Sequence, residues 1–415
     1  MSAILFRLRS RLNDLRYIFQ HELKMCLRDQ GVLIFFILVP LAYPLLYAFI
    51  YNREVVREVP VAVVDDNRSA ASRRYVRLVD ASPDVRVTAW CADMAEARRM
   101  VQRRQAYGII YVPRDFSRRL AQGEQTYVTA FCDMSGLLYY KAILLANTEV
   151  SLEMNAAIKT ARMPALTAEQ DRITQQPLQY DEVALFNPQT GFAAFLIPAV
   201  LILVIQQTLL LGVGMACGTA REHNAQHELI PVNRHYAGAF RTVGGKALCY
   251  LFIYIPVTLY VLGIVPHLFR LSQLAAPLTL ALFALPYVLA CIGLAMAVST
   301  FIRHRETCML LIVFTSVPLL FLSGISWPGS AIPPFWKAVS LFFPSTFGIN
   351  GFVRLNTMGG TLADVASEWA GLWVQAFVYF GLTVLRYRGL IRSARHRRLA
   401  IRSQLLQRRA YKGGV

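Results

Sequence analysis

Three groups of residues in this chain have types and a spacing that could support chemistry. His223 and His227 stand four residues apart, so on a helix both imidazoles would face the same way and could bind a metal ion. A zinc hydrolase with this pattern needs a glutamate directly after the first histidine as its general base, but this chain has Asn224. The Gly-Gly-Lys-Ala run at 244–247 lacks the earlier glycine and the hydroxyl residue of a nucleotide-binding loop. We therefore expect the chain itself to bind no metal or cofactor and to carry no catalytic residue and no ATPase site.

Asp65 and Asp66 form the third group, at the end of a run that predicts a strand. Ligands often bind at strand ends in α/β folds, and paired carboxylates could hold a metal ion or act as acid and base there. No His, Cys or further acid follows at ligand spacing. We favour the simpler interpretation, an Asx-type turn that leads into a helix starting near Ser69.

Apolar blocks dominate the rest of the chain. It is 55% hydrophobic and 16% charged, whereas a soluble protein carries about 25% charged residues. A membrane-spanning helix needs about 20 apolar residues. Six blocks meet this requirement and contain no Asp, Glu, Lys, Arg or His: Gly31–Tyr51, Phe192–Gly218, Ala247–Pro266, Pro277–Ile302, Thr307–Ser326 and Trp369–Leu385.

The lack of ionisable residues in these blocks argues against an ion-coupled carrier, because such carriers keep acids, histidines or arginines inside the membrane. Their polar content is limited to groups such as Gln206, Gln207, Thr208 and Ser299. If the chain moves a substrate, we expect the energy to come from a partner.

The net charge of +18 is distributed unevenly. With six spans, both termini and two loops share one side, and together they hold 22 basic and 6 acidic residues. The opposite short loops hold 3 basic and 2 acidic residues, and the polar region 52–190 is nearly neutral, with 18 and 17. The positive-inside rule makes the basic side cytoplasmic, so both termini are predicted inside and 52–190 outside. The basic charge therefore indicates topology and the lipid membrane rather than nucleic acid.

Both ends of the chain could lie on the membrane surface. The segment before the first span has apolar residues at helical spacing, among them Leu12, Leu15, Ile18 and Cys26. It predicts an amphipathic helix in the inner interface, and a solvated helix packed on a partner is the alternative. The tail 386–415 has ten basic residues and no acidic one. It either docks on anionic lipid or a partner, or only sets the topology.

Between the first and second blocks, strand-like and helical runs alternate. Four short apolar runs, from VPVAVVDDN to QTYVTAFCD, predict strands, and the intervening segments predict helices. A long amphipathic helix follows, beginning at GLLYYK. This order predicts an α/β domain with a mixed sheet. Cys91 and Cys132 each end a predicted strand, and the sequence leaves open whether they form a disulfide.

The predicted fold class is therefore an α-helical integral membrane protein with six transmembrane helices and an α/β extracytoplasmic domain inserted between helices 1 and 2. The predicted parts are a cytoplasmic N-terminus with an interfacial helix (1–30), the first span (31–51), the α/β domain (52–190), spans two to six (191–385, with a polar loop at 218–246) and a basic cytoplasmic tail (386–415).

Four stretches, in order, resemble one family. They are VAVVDDNRSAASRRYVRLVDASPDVRV and YGIIYVPRDFSRRLAQGEQTYVTAFCD in the α/β domain, FNPQTGFAAFLIPAVLILV before and in the second span, and FLSGISWPGSAIPPFWKAVSLFFPSTFGINGFVR between the last two spans. The chain resembles a permease subunit of the type-2 class of ATP-binding-cassette (ABC) exporters, over nearly its whole length. The resemblance implies an interfacial helix, six spans and a large outer domain.

The resemblance also implies that the loop after span two docks on an ATP-binding subunit. Arg221 and Glu222 keep the charged start of that loop, and the stretch HELIPV keeps its apolar end, whereas the run His223–Gln226 departs from the family's charged, glycine-containing middle. The implied ATPase-coupling residues are Arg221, Glu222, Glu228, Leu229 and Pro231. Charges that only set the topology or cap the helix are the alternative.

The segment Trp327–Arg354 is apolar but interrupted by prolines. Irregular backbone at membrane depth is tolerated where it is buried in protein or lines a cavity. We expect short helices that dip into the outer leaflet and close the exit of a pore, and an interfacial loop with an aromatic belt is the alternative. The predicted outer gate consists of Pro328, Pro333, Pro334 and Pro344.

By this resemblance the chain is the passive permease of an exporter in a bacterial inner membrane, moving a hydrophobic or amphiphilic substrate. Its implied partners are two copies of an ATP-binding subunit, which bind ATP and Mg, a second permease of the same or a related kind, and an outer adaptor or channel. Two other functions stay open at this stage. One is a membrane-anchored sensor whose outer domain binds a ligand, and the other is an intramembrane lipid-modifying enzyme, which the missing catalytic groups disfavour.

Overall fold

The helices and strands follow the apolar pattern of the sequence. The computed structural model describes residues 2–51, 55–162, 167–175, 185–187, 191–224, 229–231, 233–236, 238–302 and 304–412. The chain divides into two compact units, a membrane unit (Met1–Asn52 with Gly191–Val415) and a sheet domain (Arg53–Thr190).

The first part of the membrane unit and the sheet domain contain seven helices and four strands among the described residues. In chain order they are α1 (Ser2–Arg28), α2 (Gln30–Ile50), β1 (Val59–Asp65), α3 (Ala70–Asp80), β2 (Val85–Trp90), α4 (Met94–Gln102), β3 (Gly108–Val112), α5 (Phe116–Gln122), β4 (Thr129–Cys132), α6 (Leu137–Arg162) and α7 (Ala168–Gln175).

The second part of the membrane unit is helical. Its long described helices are α8 (Phe192–His223), α9 (Ala239–Leu268), α10 (Pro277–Ser299), α11 (Arg305–Leu322) and α14 (Ala366–Lys412). Two short helices, α12 (Pro334–Ser340) and α13 (Pro344–Phe352), lie between α11 and α14 in the sequence. Single π turns interrupt α2 and α9, at Ile34–Leu38 and Tyr260–Ile264.

Six of the described helices are long and apolar enough to cross a membrane, as the six apolar blocks predict: α2, α8, α9, α10, α11 and the first part of α14, Ala366–Ala394. α8 lies in the middle of this unit and packs against α2, α10, α11 and α13. The last helix, α14, packs along α10 and continues without interruption into the basic tail. The described helices thus enclose one apolar core built around α8.

The sheet domain has the mixed sheet that the alternating pattern predicts. The strand order is β2-β1-β3-β4, with β1 parallel to β2 and β3, and β4 antiparallel to β3. Both faces of the sheet are covered, because β1 and β3 carry apolar side chains in both directions. One face packs on α3 and α6 through residues such as Tyr75, Val79 and Ile143, and the other packs on α4 through Ala97.

Asp65 forms the turn that we favoured over a metal or acid–base site. Its Oδ1 accepts hydrogen bonds from the backbone N–H groups of Asn67 (3.0 Å) and Arg68 (2.9 Å), and its Oδ2 accepts one from Ser72 Oγ at 2.7 Å. Ser69 and Ser72 close a capping box at the start of α3. The carboxylate of Asp65 is therefore occupied in shaping the strand-to-helix connection.

Cys91 and Cys132 are free thiols. Cys91 directly follows β2 and Cys132 ends β4, and these two strands are the opposite edges of the sheet. Three strand spacings separate them, about 14 Å, whereas a disulfide requires Cα atoms within about 7 Å. The sequence could not decide this pairing because it does not give the strand order.

Candidate functional site

Charged residues from distant parts of the sequence meet at one end of the membrane unit. They surround a cavity of about 850 Å³ between α1, the last turn of α8 and the segment that connects α8 to α9. We call this cavity the polar cleft. Its lining includes Glu22, Asp29, Thr219, Leu229, Pro231 and Lys246.

A buried ion pair joins α1 to α9 at the cleft. Lys246 Nζ lies 2.8 Å from Glu22 Oε1, and Tyr250 Oη donates a hydrogen bond of 2.5 Å to the same oxygen. The side chains of Lys246 and Glu22 are only 2% and 1% exposed. A buried ion pair of this kind tolerates loss of one partner poorly, because the remaining charge is left without compensation.

A second acid of α1 holds the connection between α8 and α9. Asp14 Oδ1 lies 2.7 Å from His235 Nδ1, and Arg241 donates a hydrogen bond to its other oxygen. The ring of Tyr17 stacks on His235 with centroids 4.3 Å apart. The described end of the connection, at His235, is therefore fastened to α1 rather than free in solvent.

The buried stripe of α1 consists of Asp14, Ile18, Glu22 and Cys26, at a spacing of four residues. The predicted apolar face shares Ile18 and Cys26 with this stripe, but Leu12 is 62% exposed. The two acids stand where an amphipathic helix would carry apolar residues, and each contacts a basic residue: Asp14 contacts His235 and Arg241, and Glu22 contacts Lys246. The helix therefore packs against α9 along a mixed apolar and ionic stripe.

Asp29 joins three more helices at the cleft. It caps α2 by accepting from the N–H groups of Gly31 (2.9 Å) and Val32 (3.3 Å), and it accepts a 2.6 Å hydrogen bond from Thr219 of α8. Arg305 at the start of α11 contacts both carboxylate oxygens, at 2.8 and 3.1 Å. Partial burial alone would raise the pKa of Asp29, but these hydrogen bonds and the nearby guanidinium outweigh it and lower the pKa below 3.8.

Arg221, in the last turn of α8, binds the end of another helix. Its Nη1 donates to the carbonyl of Ile302 at 2.6 Å and its Nη2 to the carbonyl of Thr300 at 2.7 Å. These carbonyls follow the C-terminus of α10, where backbone acceptors lack intrahelical partners. Arg221 thus stabilises the turn between α10 and α11.

The sequence profile of the family described as "ABC-2 family transporter protein" matches residues 31–385, most of the chain. The chain belongs to this family. The protein is therefore a multi-pass membrane permease of the ABC type-2 class, a transport subunit whose family implies an ABC ATPase partner. None of the curated proteins gives a significant match.

The polar cleft of the permease contains part of the predicted coupling loop. Leu229 and Pro231 line it beside Thr219, and Leu229 is buried. Glu222 is exposed at the end of α8, and its Oε1 accepts a 3.4 Å hydrogen bond from the N–H of Arg305. Glu228 lies outside the described residues.

The helices of the permease extend into the segment 218–246, which the sequence predicts as a polar loop. α8 continues to His223 and α9 begins at Ala239, so Lys246 lies inside a candidate membrane helix. The third apolar block of the sequence begins at Ala247, directly after Lys246, so the sequence predicted membrane spans without ionisable residues. The helix begins earlier than hydropathy alone predicts. Arg241 and Lys246 in its first turns form ion pairs with acids of α1.

The proline-rich segment folds into short helices. Pro328 and Pro333 directly precede a 3₁₀ turn and α12, while Pro334 and Pro344 occupy the first positions of α12 and α13, where a missing N–H costs nothing. α12 is mostly exposed, whereas α13 is mostly buried.

One hydrogen bond shows how deep α13 lies beside α8. The N–H of Ser345, at the start of α13, donates to Gln206 Oε1 at 2.7 Å. Gln206 is near the middle of the candidate span Phe192–Glu222, about 21 Å from its start at 1.5 Å per residue. The start of α13 thus lies level with the middle of a candidate membrane helix, as a re-entrant segment requires.

Sequence reasoning missed the residues that form the ties of the polar cleft, namely Asp14, Glu22, Asp29, His235, Lys246 and Arg305. A signal for two of them was available. Asp14 and Glu22 are in phase with the apolar stripe of α1, where an acid is costly unless it is paired.

The described residues contain no cluster of three or more His, Cys, Asp or Glu side chains that could hold a metal ion.

Proposed function

We propose that the permease exports a hydrophobic or amphiphilic substrate, driven by ATP hydrolysis on two copies of a separate ATP-binding subunit. The observation that carries this proposal is the family membership over residues 31–385. In the functional unit the permease pairs with a second copy or a close relative, and the substrate path runs between the two. ATP and Mg bind to the partner, not to this chain.

The polar cleft is the place where the ATPase acts on the permease. The polar contacts of the cleft support this. Asp14 and Glu22 connect α1 to the segment between α8 and α9 and to α9 itself. Asp29 connects the start of α2 to α8 and α11. A push on the connecting segment would therefore reach four candidate membrane helices through ion pairs and short hydrogen bonds. Glu222 is an exposed acid at this end, and in this proposal it contacts the partner.

The cleft lies on the cytoplasmic side in this proposal, and the sheet domain lies outside. The 22 basic residues at the termini and two loops support this arrangement, because short basic loops stay in the cytoplasm. The proposed location is the inner membrane of a bacterium, with both termini cytoplasmic. An adaptor or outer channel is the proposed partner of the sheet domain.

The segment 327–354 acts as the outer gate. Its buried helix α13 begins level with the middle of α8, which supports a re-entrant role. Movement of α8, whose other end borders the cleft, would carry α13 with it through the hydrogen bond between Gln206 and Ser345. Opening at the outer side would then follow from ATP-driven movement at the cleft.

Co-purification tests the proposal directly. The tagged permease should retain an ATP-binding protein, and its ATPase activity should respond to the permease. Glu222→Arg should weaken the retention, whereas Glu153→Arg, an exposed position of the sheet domain, should leave it unchanged. Failure to retain any ATP-binding protein, or cleavage of the sheet domain by a protease added to the cytosolic side, would contradict the proposal.

A further inference from the structure

The sheet domain contains a second cavity, distant in sequence from the polar cleft. Its volume is about 710 Å³, within the range of about 300–1,000 Å³ that small-molecule sites occupy. It lies between α5, the loop 123–128 and the last turns of α6. We call it the domain cavity.

One part of the wall of the domain cavity is apolar. Phe116 and Met154 are buried, at 4% and 8% exposure, and Leu120, Val128 and Ile158 are half-buried against the same core. α5 and the end of α6 face each other across the cavity, and Arg162 Nη2 bridges them by donating to the carbonyl of Leu120. Apolar side chains that converge on an open space offer a favourable environment to an apolar ligand.

Polar side chains form much of the remaining lining, among them Gln125, Ser151 and Asn155. The hydroxyl of Tyr75 is occupied by Asn147 Oδ1 at 3.1 Å and by Ser151 Oγ at 3.3 Å.

The rim of the domain cavity carries a net positive charge. Lys159 and Arg162 stand at one end of the cavity with Glu124, which leaves an excess of one positive charge. Lys159 is exposed and Arg162 uses only part of its guanidinium on Leu120, so both can contact an anionic headgroup. Long basic side chains at the mouth of an apolar site suit a molecule with a fatty body and a negative end.

We propose that the domain cavity binds an anionic amphiphile, with its chain among Phe116, Leu120 and Ile158 and its headgroup at Lys159 and Arg162. This site is independent of the polar cleft, since all of its described lining residues belong to the sheet domain. It gives the domain a ligand-binding role that holds whether or not the permease is driven by the proposed ATPase.

Photolabelling of the full-length permease in neutral phosphatidylcholine nanodiscs tests this site. The probe is a sixteen-carbon fatty acid with a mid-chain diazirine, compared with its methyl ester and its trimethylammonium analogue. Mass spectrometry should find the fatty acid attached within 116–128 and 151–162, with the ester and the cation labelling these peptides less. Competition by unlabelled fatty acid and by a lysophospholipid with a phosphate headgroup distinguishes carboxylate from phosphate ligands.

Two pairs of variants locate the site. Ile158→Trp fills the cavity and should abolish labelling of these peptides, whereas Leu144→Trp, exposed on the same helix outside the cavity, should not. Lys159→Glu should reduce labelling by the fatty acid about two- to five-fold, as expected for an exposed charge contact, and Lys141→Glu should have no effect. The lysine pair remains informative if Ile158→Trp does not fold.

The proposal is overturned if the fatty acid labels only the membrane helices, or if the three probes label the sheet domain equally. It is also overturned if Lys159→Glu and Lys141→Glu give the same labelling as the unchanged chain. None of these outcomes depends on whether an ATP-binding subunit co-purifies.

Discussion

Lys246 and Glu22 form an ion pair of 2.8 Å that is almost completely removed from solvent. The two residues are 224 positions apart in the sequence, and they join the helix before the first span to the third candidate span. Tyr250, one turn further along α9, donates to the same carboxylate oxygen. This pair therefore connects α1 directly to α9, one of the membrane helices that the polar cleft borders.

Removing the charge of Lys246 should destabilise the permease. Lys246→Met leaves Glu22 buried without its counter-charge, and loss of one partner of a buried pair costs about 3–5 kcal/mol. Replacing both residues, as in Glu22→Met with Lys246→Met, should recover most of that loss, since an apolar pair needs no compensation. Thermal unfolding in detergent measures both effects.

Lys24→Met is the matched control for this experiment, because Lys24 lines the same cleft but is exposed. It should leave the unfolding temperature unchanged. A Lys246→Met variant as stable as the unchanged chain would show that the pair does not hold α1 in place.

The contribution of Asp29 should depend on pH in a defined direction. Its pKa is lowered in the folded state, so the folded state favours the ionised carboxylate. The stabilisation is therefore fully present above the ordinary value of 3.8 and is lost as the pH falls through the lower, folded-state pKa. The difference in unfolding temperature between the unchanged chain and Asp29→Asn should be largest near neutral pH and should shrink under acid. A difference that grows towards low pH would contradict the assigned hydrogen bonds.

Arg221 and Glu222 are adjacent in sequence but should respond differently to mutation. Arg221→Ala removes two hydrogen bonds to the carbonyls of Thr300 and Ile302, and should cost roughly 1–3 kcal/mol of stability. Glu222→Arg changes an exposed side chain, so it should leave stability nearly unchanged while weakening retention of the ATP-binding subunit. Unfolding and co-purification, measured on both variants, separate the two roles. Equal losses of stability would argue against this division.

Close packing of α13 should make Gly348 intolerant of a side chain. A Cβ at Gly348 would lie 2.6 Å from the ring of Tyr287, which is fully buried, and 3.1 Å from Ile202. Gly348→Ala should therefore destabilise the permease by about 1–3 kcal/mol through overpacking. Gly329→Ala, in the same proline-rich segment, meets no atom within 4 Å and serves as the control. Equal unfolding temperatures for the two variants would place α13 away from Tyr287.

Cys91 and Cys132 should remain reduced even in an oxidising compartment. They lie on opposite edges of the sheet, and burial raises the pKa of both thiols, which slows their reaction. After denaturation without reductant, a maleimide should label both residues. Mass spectrometry that finds a peptide pair linked through these two cysteines would contradict the strand order.

Much of the architecture could be predicted because it depends on local signals. The six apolar blocks needed only hydropathy and length, and each coincides with a candidate membrane helix to within a few residues or a few turns. In the sheet domain, alternation of strand and helix patterns predicted the elements, and Gly123 ends α5 with a φ of 82°, a conformation that glycine adopts readily. The turn after Asp65 could be predicted because its hydrogen bonds reach only seven residues along the chain.

The polar cleft could not be predicted in the same way. Lys246 was assigned to a polar loop because a charge next to an apolar block normally marks the membrane surface. Its burial depends on an acid 224 residues away, and that of Asp14 depends on His235 and Arg241. Arg221 is half-buried because two backbone carbonyls near residue 300 accept from it.

The sequence by itself determined which segments are apolar enough to cross a membrane, which side carries the basic charge, and that a mixed α/β domain follows the first of them. These properties follow from composition and periodicity over some twenty residues. The tertiary structure alone decided which acid meets which base, which strands form the sheet edges, and where α13 lies along α8. Those contacts join residues far apart in sequence, and no local preference encodes the partner of a buried charge.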